Sequence, residues 1–187
     1  MLTNLLVGHK VRLTALDKKD IPTLMRWHQD TAYLRLQDSR PALPRTEATT
    51  AAWLDEVDQS KDGFTFAVRL LDNNALIGTA GLDEIEWPHQ VGEFFIGIGE
   101  RQNWRQGYGA DASRLVLAYA FEELNLHRVQ LTVFSYNEAA IALYEKMGFK
   151  REGVFRQFLQ RDGQRDGQRH DMYLYGLLRP EWETALY

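Results

Sequence analysis

The chain has 187 residues, which is short for two domains and long enough to bury one core. Apolar residues make up 44% and charged residues 26%, which excludes a mainly disordered chain, and the longest apolar run, Leu115–Phe121, is far short of the roughly 20 residues of a membrane-spanning helix. With 22 basic against 26 acidic residues the net charge is −4 and there is no cysteine, so a global field for nucleic acid, a disulfide, a thiolate metal site and a cysteine nucleophile are excluded.

Met1–Lys10 has neither a basic start nor an apolar core, so no signal peptide is expected. A cysteine-free chain fits a cytoplasmic setting. Lys10–Leu16 alternates polar and apolar residues and predicts a first strand. Asp17 or Asp20 can cap a helix to about Gln29, with Pro22 tolerated in its first turn. Ser39–Pro44 is a turn-rich break, and Thr46 opens a second helix through Val57. Strands are predicted at Phe64–Leu71, Ala75–Leu82 and Val91–Ile98, with a turn at Asp72–Asn74 and a polar connection at Glu84–Gln90. Leu115, Val116, Tyr119 and Ala120 carry a helical spacing within Gly107–Leu124. Arg128–Ser135 alternates as a strand. Asn137 is a good N-cap for a helix Glu138–Met147 that Gly148 would end. Phe149–Gln160 and His170–Leu177 read as two late strands. Their hairpin holds the internal repeat Asp162-Gly163-Gln164-Arg165, Asp166-Gly167-Gln168-Arg169, read as a lengthened turn. Local strand pairs followed by alternating strands and helices give one mixed α/β domain over residues 1–187.

The sharpest local feature is Trp104-Arg105-Gln106-Gly107-Tyr108-Gly109-Ala110, between an apolar strand and a long helix. Two glycines let backbone N–H groups turn toward one point, and a helix start adds unpaired donors and a positive dipole end. Such a place binds phosphate without a lysine. An ordinary tight turn would have the same local sequence. A P-loop is excluded because Ala110-Asp111 follows Gly109 where Lys-Ser/Thr is needed. A dinucleotide fold fits poorly, since no second βαβ half follows.

About thirty residues on lies Asn137-Glu138-Ala139-Ala140-Ile141-Ala142-Leu143-Tyr144-Glu145-Lys146-Met147-Gly148-Phe149. Alone it is a capped amphipathic helix. Paired with the glycine loop at this distance, it resembles the GNAT superfamily of acyl-CoA-dependent N-acetyltransferases. The likeness runs from Val11-Arg12-Leu13 through Gly92-Glu93-Phe94 and Ile96-Gly97-Ile98-Gly99 to Asp171-Met172-Tyr173. It is nearest to the branch of ribosomal-protein N-terminal and spermidine acetyltransferases. The resemblance implies a central, mostly antiparallel twisted sheet with a splayed strand pair, flanked by about four helices.

It also implies site roles. Backbone amides of Arg105, Gln106, Gly107, Tyr108, Gly109 and Ala110 would wrap the pyrophosphate of acetyl-CoA. The strand end at Ile98 and Gly99 would hydrogen-bond the pantetheine arm, which lies in the splayed gap. Asn137 would contact the arm, and Tyr144 would point its hydroxyl at the sulfur. The chain departs from the family at Trp104, Arg105 and Gln106, where Arg or Gln, a small residue, and Lys or Arg are common, so side-chain contacts there differ while backbone contacts survive.

Acetyl transfer from a thioester to an amine needs a neutral amine, a donor to the carbonyl oxygen, a proton for the leaving thiolate and alignment of the reactants. Tyr144 is the general-acid candidate, set against a core tyrosine on a helix face. Glu93 is the candidate base, through water, set against a solvated strand carboxylate. Glu84 and Glu86 either draw in a cationic amine or are plain surface charges, and the N–H near Ile98 is the carbonyl donor. The histidines at 9, 28, 89, 127 and 170 include no His-x-x-x-His pair, so no metal is expected. Trp27 and His28 are weaker candidates for the acceptor cleft. Arg161, Arg165 and Arg169 read as a solvated basic turn, with RNA contact the other reading. The expected acceptor is a protein N-terminal α-amine or a small amine such as a polyamine, with no membrane partner, nucleic acid disfavoured, and a homodimer in line with the resemblance. The alternative is a non-catalytic acyl-CoA-binding module of the same fold.

Overall fold

In a computed structural model, which describes residues 4–161 and 167–185, one sheet holds β1 (Val11–Thr14), β2 (Phe64–Leu70), β3 (Leu76–Glu86), β4 (Val91–Ile98), β5 (Arg128–Phe134), β6 (Lys150–Gln160) and β7 (Arg169–Leu178). Their order is β1-β2-β3-β4-β5-β7-β6, and every neighbouring pair is antiparallel except β4 with β5. That parallel pair registers only from Val91 opposite Arg128 to Glu93 opposite Gln130. Phe94–Ile98 then runs on with no strand on its β5 side, so the sheet opens into a wedge. The splayed pair expected from the resemblance lies at these two strands.

Among the described residues there are six α-helices, where about four were expected: α1 (Ile21–Trp27), α2 (Thr31–Gln37), α3 (Glu47–Gln59), α4 (Tyr108–Ala118), α5 (Glu138–Lys146) and α6 (Arg179–Ala185). None is long and apolar enough to cross a membrane. The unforeseen α2 starts because the Asp30 carboxylate accepts from the N–H groups of Ala32 and Tyr33. The unforeseen α6 is held by Trp182, buried against Phe121 with ring centroids 5.1 Å apart. The helix expected over Gly107–Leu124 stays regular to Ala118 and widens into a π-turn over Tyr119–Glu123. Glu84–Gln90 is not a plain connection. β3 continues to Glu86 through a bulge at which Glu84 takes φ 49°. Asp162–Asp166 of the repeat lie outside the described residues.

The period of two along β4 sorts the helices into layers. Phe94, Ile96 and Ile98 face α4 and α5: the Tyr144 ring meets Phe94 edge-on at 6.1 Å, and Ile96 and Ile98 lie under Gly109. Gly97 and Gly99 face α1 and α2. A Cβ on Gly97 would lie 2.8 Å from the Tyr33 hydroxyl, and one on Gly99 would lie 2.0 Å from the Trp27 ring. Glycine there lets α1 and α2 approach the backbone beside the wedge. The larger core packs β1–β5 and β7 against α4 and α5, and a smaller one joins Ile21, Leu24, Trp27, Tyr33 and Leu54 of α1–α3.

Candidate functional site

The wedge between β4 and β5 is the mouth of a cleft of about 810 Å3. Its walls include Glu93–Ile98 of β4, Arg105, Gly107, Gly109 and Ala110 of the glycine loop, Thr132–Phe134 of β5, Asn137 and Tyr144 of α5, and Tyr33, Leu36 and Gln37 of α2. The structure thus gathers most of the candidate residues at one place.

In the loop, Arg105 and Gly107 take left-handed conformations, φ 58° and 82°. None of the six N–H groups from Arg105 through Ala110 finds an acceptor among the described residues; the first to do so is Asp111, which donates to the Gly107 carbonyl at 3.1 Å. Three of these N–H groups open α4, whose dipole adds positive potential. This donor set fits a diphosphate. Gln106 and Tyr108 lie outside the cleft lining.

Along β4, the Gly99 N–H donates to the Ile77 carbonyl at 2.9 Å. Ile98 therefore stands opposite Gly78 as a non-hydrogen-bonded pair, and its own N–H and C=O turn toward the wedge. Trp104 Nε1 donates to that carbonyl at 2.7 Å, and the Ile98 N–H has no strand to meet on that side among the described residues. Trp104 thus fastens the loop to the strand end, which gives its departure from the family pattern a physical purpose. Gly99, expected to meet the cofactor arm, is placed otherwise: its N–H is spent in the sheet and it packs on Trp27, outside the cleft lining.

Tyr144 is 7% exposed. Its ring is set edge-on against Phe94 and Phe149, at 6.1 and 6.0 Å. Its hydroxyl has no partner among the described residues and opens into the cleft. Burial pushes the phenol up from its ordinary range, so it stays protonated. Asn137 accepts from the Ala140 N–H at 3.3 Å through its side-chain oxygen as the N-cap of α5, and the residue lines the cleft. Glu93 sits at the apex of the wedge, on the α2 side of β4. Burial raises its carboxyl pKa, and the charges of Glu84 and Asp83 raise it further. Glu86 does not line the cleft, nor do Trp27 and His28. Trp27 is core, and burial depresses His28 to about 4.

The sequence model of the acetyltransferase (GNAT) domain matches residues 10–150. This chain belongs to the GNAT family. The uncharacterized N-acetyltransferase YoaA of Bacillus subtilis is 33% identical over 122 residues, 65% of this chain and 66% of that protein. The spermidine N(1)-acetyltransferase of Escherichia coli K12 is 28% identical over 146 residues, 78% of this chain and 76% of that protein, and belongs to the branch expected from the sequence. The fold matches that of spermidine N-acetyltransferase from Vibrio cholerae, solved with CoA and spermine, at a TM-score of 0.79 and 23% identity, over 92% of this chain and 98% of that one.

As a GNAT N-acetyltransferase, the protein also uses residues that the linear pattern hid. The α2 wall is held by Arg161, read beforehand as a solvated turn. Its guanidinium donates to the carbonyls of Arg35, Asp38, Ser39 and Arg40, takes the Tyr136 hydroxyl at 2.9 Å and lies 5.3 Å over the Phe134 ring. Tyr136 in turn donates to the Arg35 carbonyl at 2.5 Å. These bonds cap the C-terminal end of α2 and pin Tyr33, Leu36 and Gln37 over the cleft. Arg161→Met is expected to raise KM for the acceptor amine about tenfold while the Kd for CoA stays near wild type. Steady-state kinetics and calorimetry on the same preparation check the split.

Proposed function

We propose that the chain, acting as one acetyltransferase domain, moves an acetyl group directly from acetyl-CoA to a small cationic primary amine within the β4–β5 cleft. The observation that carries this reading is the unpartnered Tyr144 hydroxyl, opening into the same cleft as the free N–H groups of Arg105–Ala110. When bound, acetyl-CoA supplies the activated acyl group. The loop N–H groups hold its diphosphate. The Ile98 N–H orients and polarises the carbonyl. Tyr144 donates a hydrogen bond to the sulfur as negative charge develops there. Glu93, on the opposite face of β4, takes the amine proton through water. No covalent enzyme intermediate is needed.

The charge of the lining favours the acceptor class. Asp83, Glu84, Glu93 and Glu138 are its acidic side chains, and the sole basic side chain among the described lining residues is Arg105, in the loop. A cleft of one sign concentrates the opposite charge. The relationship to spermidine N(1)-acetyltransferase supports a polyamine. The test is CoA-thiol release from acetyl-CoA across polyamines, monoamines and peptides with free N-termini. Turnover is expected to be highest with polyamines and to fall with added salt. A preference for the peptides would replace the acceptor class, and tight CoA binding with no turnover on any amine would leave only a binding module.

A further inference from the structure

Lys10 and the glycine loop are separated by 96 positions in sequence but meet in the fold. Lys10 Nζ donates to the Gln106 carbonyl at 2.8 Å and lies 5.9 Å from the Tyr108 ring centroid. A Cβ on Gly107 would be 3.4 Å from it. The ammonium has no carboxylate partner among the described residues.

Its position is built. Asp111, in the first turn of α4 and 4% exposed, accepts the N–H of Lys10 at 2.7 Å and that of Val11 at 3.1 Å through one oxygen. The Lys10 carbonyl accepts the Leu71 N–H at 3.1 Å. Two bonds on the Lys10 main chain and a third on the next N–H, of Val11, therefore fix the backbone here and deliver the Lys10 side chain to the loop. A cation beside the positive end of a helix is electrostatically unfavourable on its own. Beside six N–H groups with no acceptor, it adds to one positive patch, which becomes favourable when an anion is present.

We propose that Lys10 is a cofactor-binding residue that contacts the diphosphate of coenzyme A. This inference rests on the reading that the loop binds that cofactor. It adds a second cation, carried at the start of β1 and reaching the loop from outside the cleft, to Arg105, which lines the cleft.

The test is calorimetric titration of the wild type, Lys10→Met and Lys10→Arg with CoA, 3′-dephospho-CoA and pantetheine, with thermal melting of each protein as the folding control. Lys10→Met is expected to weaken CoA and dephospho-CoA about tenfold alike and to leave pantetheine unchanged, and Lys10→Arg to stay within about threefold of wild type. Equal CoA affinity in Lys10→Met and wild type overturns the assignment and leaves the acetyltransferase reading standing. So does a loss confined to CoA, which would point to the 3′-phosphate, or an equal loss in Lys10→Arg, which would point to packing. A wild-type protein that binds no CoA overturns both.

Discussion

Tyr144→Phe is expected to lower kcat about a hundredfold and to leave the Kd for CoA within about twofold of wild type. The asymmetry follows from the surroundings of the ring. Phe94 and Phe149 hold it edge-on, and phenylalanine keeps those contacts, so the packing of α5 on β4 survives. The hydroxyl bonds to nothing among the described residues, so its removal strands no donor and costs little stability. On the proposed mechanism, what the variant lacks is the donor to sulfur at the moment charge develops. Because burial holds the phenol above its ordinary value of 10.0, wild-type kcat should show no alkaline limb from Tyr144 below that pH. Kinetics and calorimetry on the same preparation decide the matter. A parallel loss in turnover and CoA affinity would assign Tyr144 to packing alone.

The parts of this site that were readable from sequence are those built within one local segment. Gly107 before a helix, Asn137 as a cap and Gly148 at φ 96° after α5 each follow from the chemistry of one turn. β4 was also readable, because Val91–Ile98 is a short, largely apolar run between a polar connection and the glycine loop. The remainder depends on contacts between distant segments. Seven residues make about two turns, too short for α2 to show a helical period, and α2 is stabilised by an arginine more than a hundred positions away. Arg161 looked like a solvated charge because nothing near it in sequence shows the carbonyls it would meet. Lys10 looked like the edge of a strand. Gly99 looked like part of the cofactor strand, yet its N–H belongs to β3 and its open face to Trp27. The bulge at Glu84 breaks the alternation that would have extended β3 to Glu86.

Glu93→Gln should separate activity from stability, with opposite signs. Glu93 is the last residue of β4 registered with β5 and stands opposite Asp83. Its carboxyl is raised above the ordinary 4.5 by burial first, then by Glu84 and Asp83. A base must be ionised, so the wild-type rate falls as pH drops through this raised value, at higher pH than an unperturbed carboxylate would allow. The amine must also lose its proton, so log kcat/KM for the wild type should rise with a slope of about two below both pKa values. Glutamine removes one of the two titrations. The slope should drop to about one, and the neutral-pH rate should fall by tens of fold. Stability runs the other way. A folded pKa above the unfolded one means that the protonated carboxyl is the form the fold favours. The favourable contribution is complete below the unfolded value of 4.5 and is lost as pH rises through the folded one. Ionised Glu93 therefore strains the fold at pH 7, and Glu93→Gln should melt at a higher temperature there, with the difference closing as pH falls toward 4.5. A variant that is slower yet more stable marks a carboxylate held against its own solvation for the sake of the amine. A variant that loses both together, or keeps a slope of two, would return Glu93 to the sheet as an ordinary strand residue.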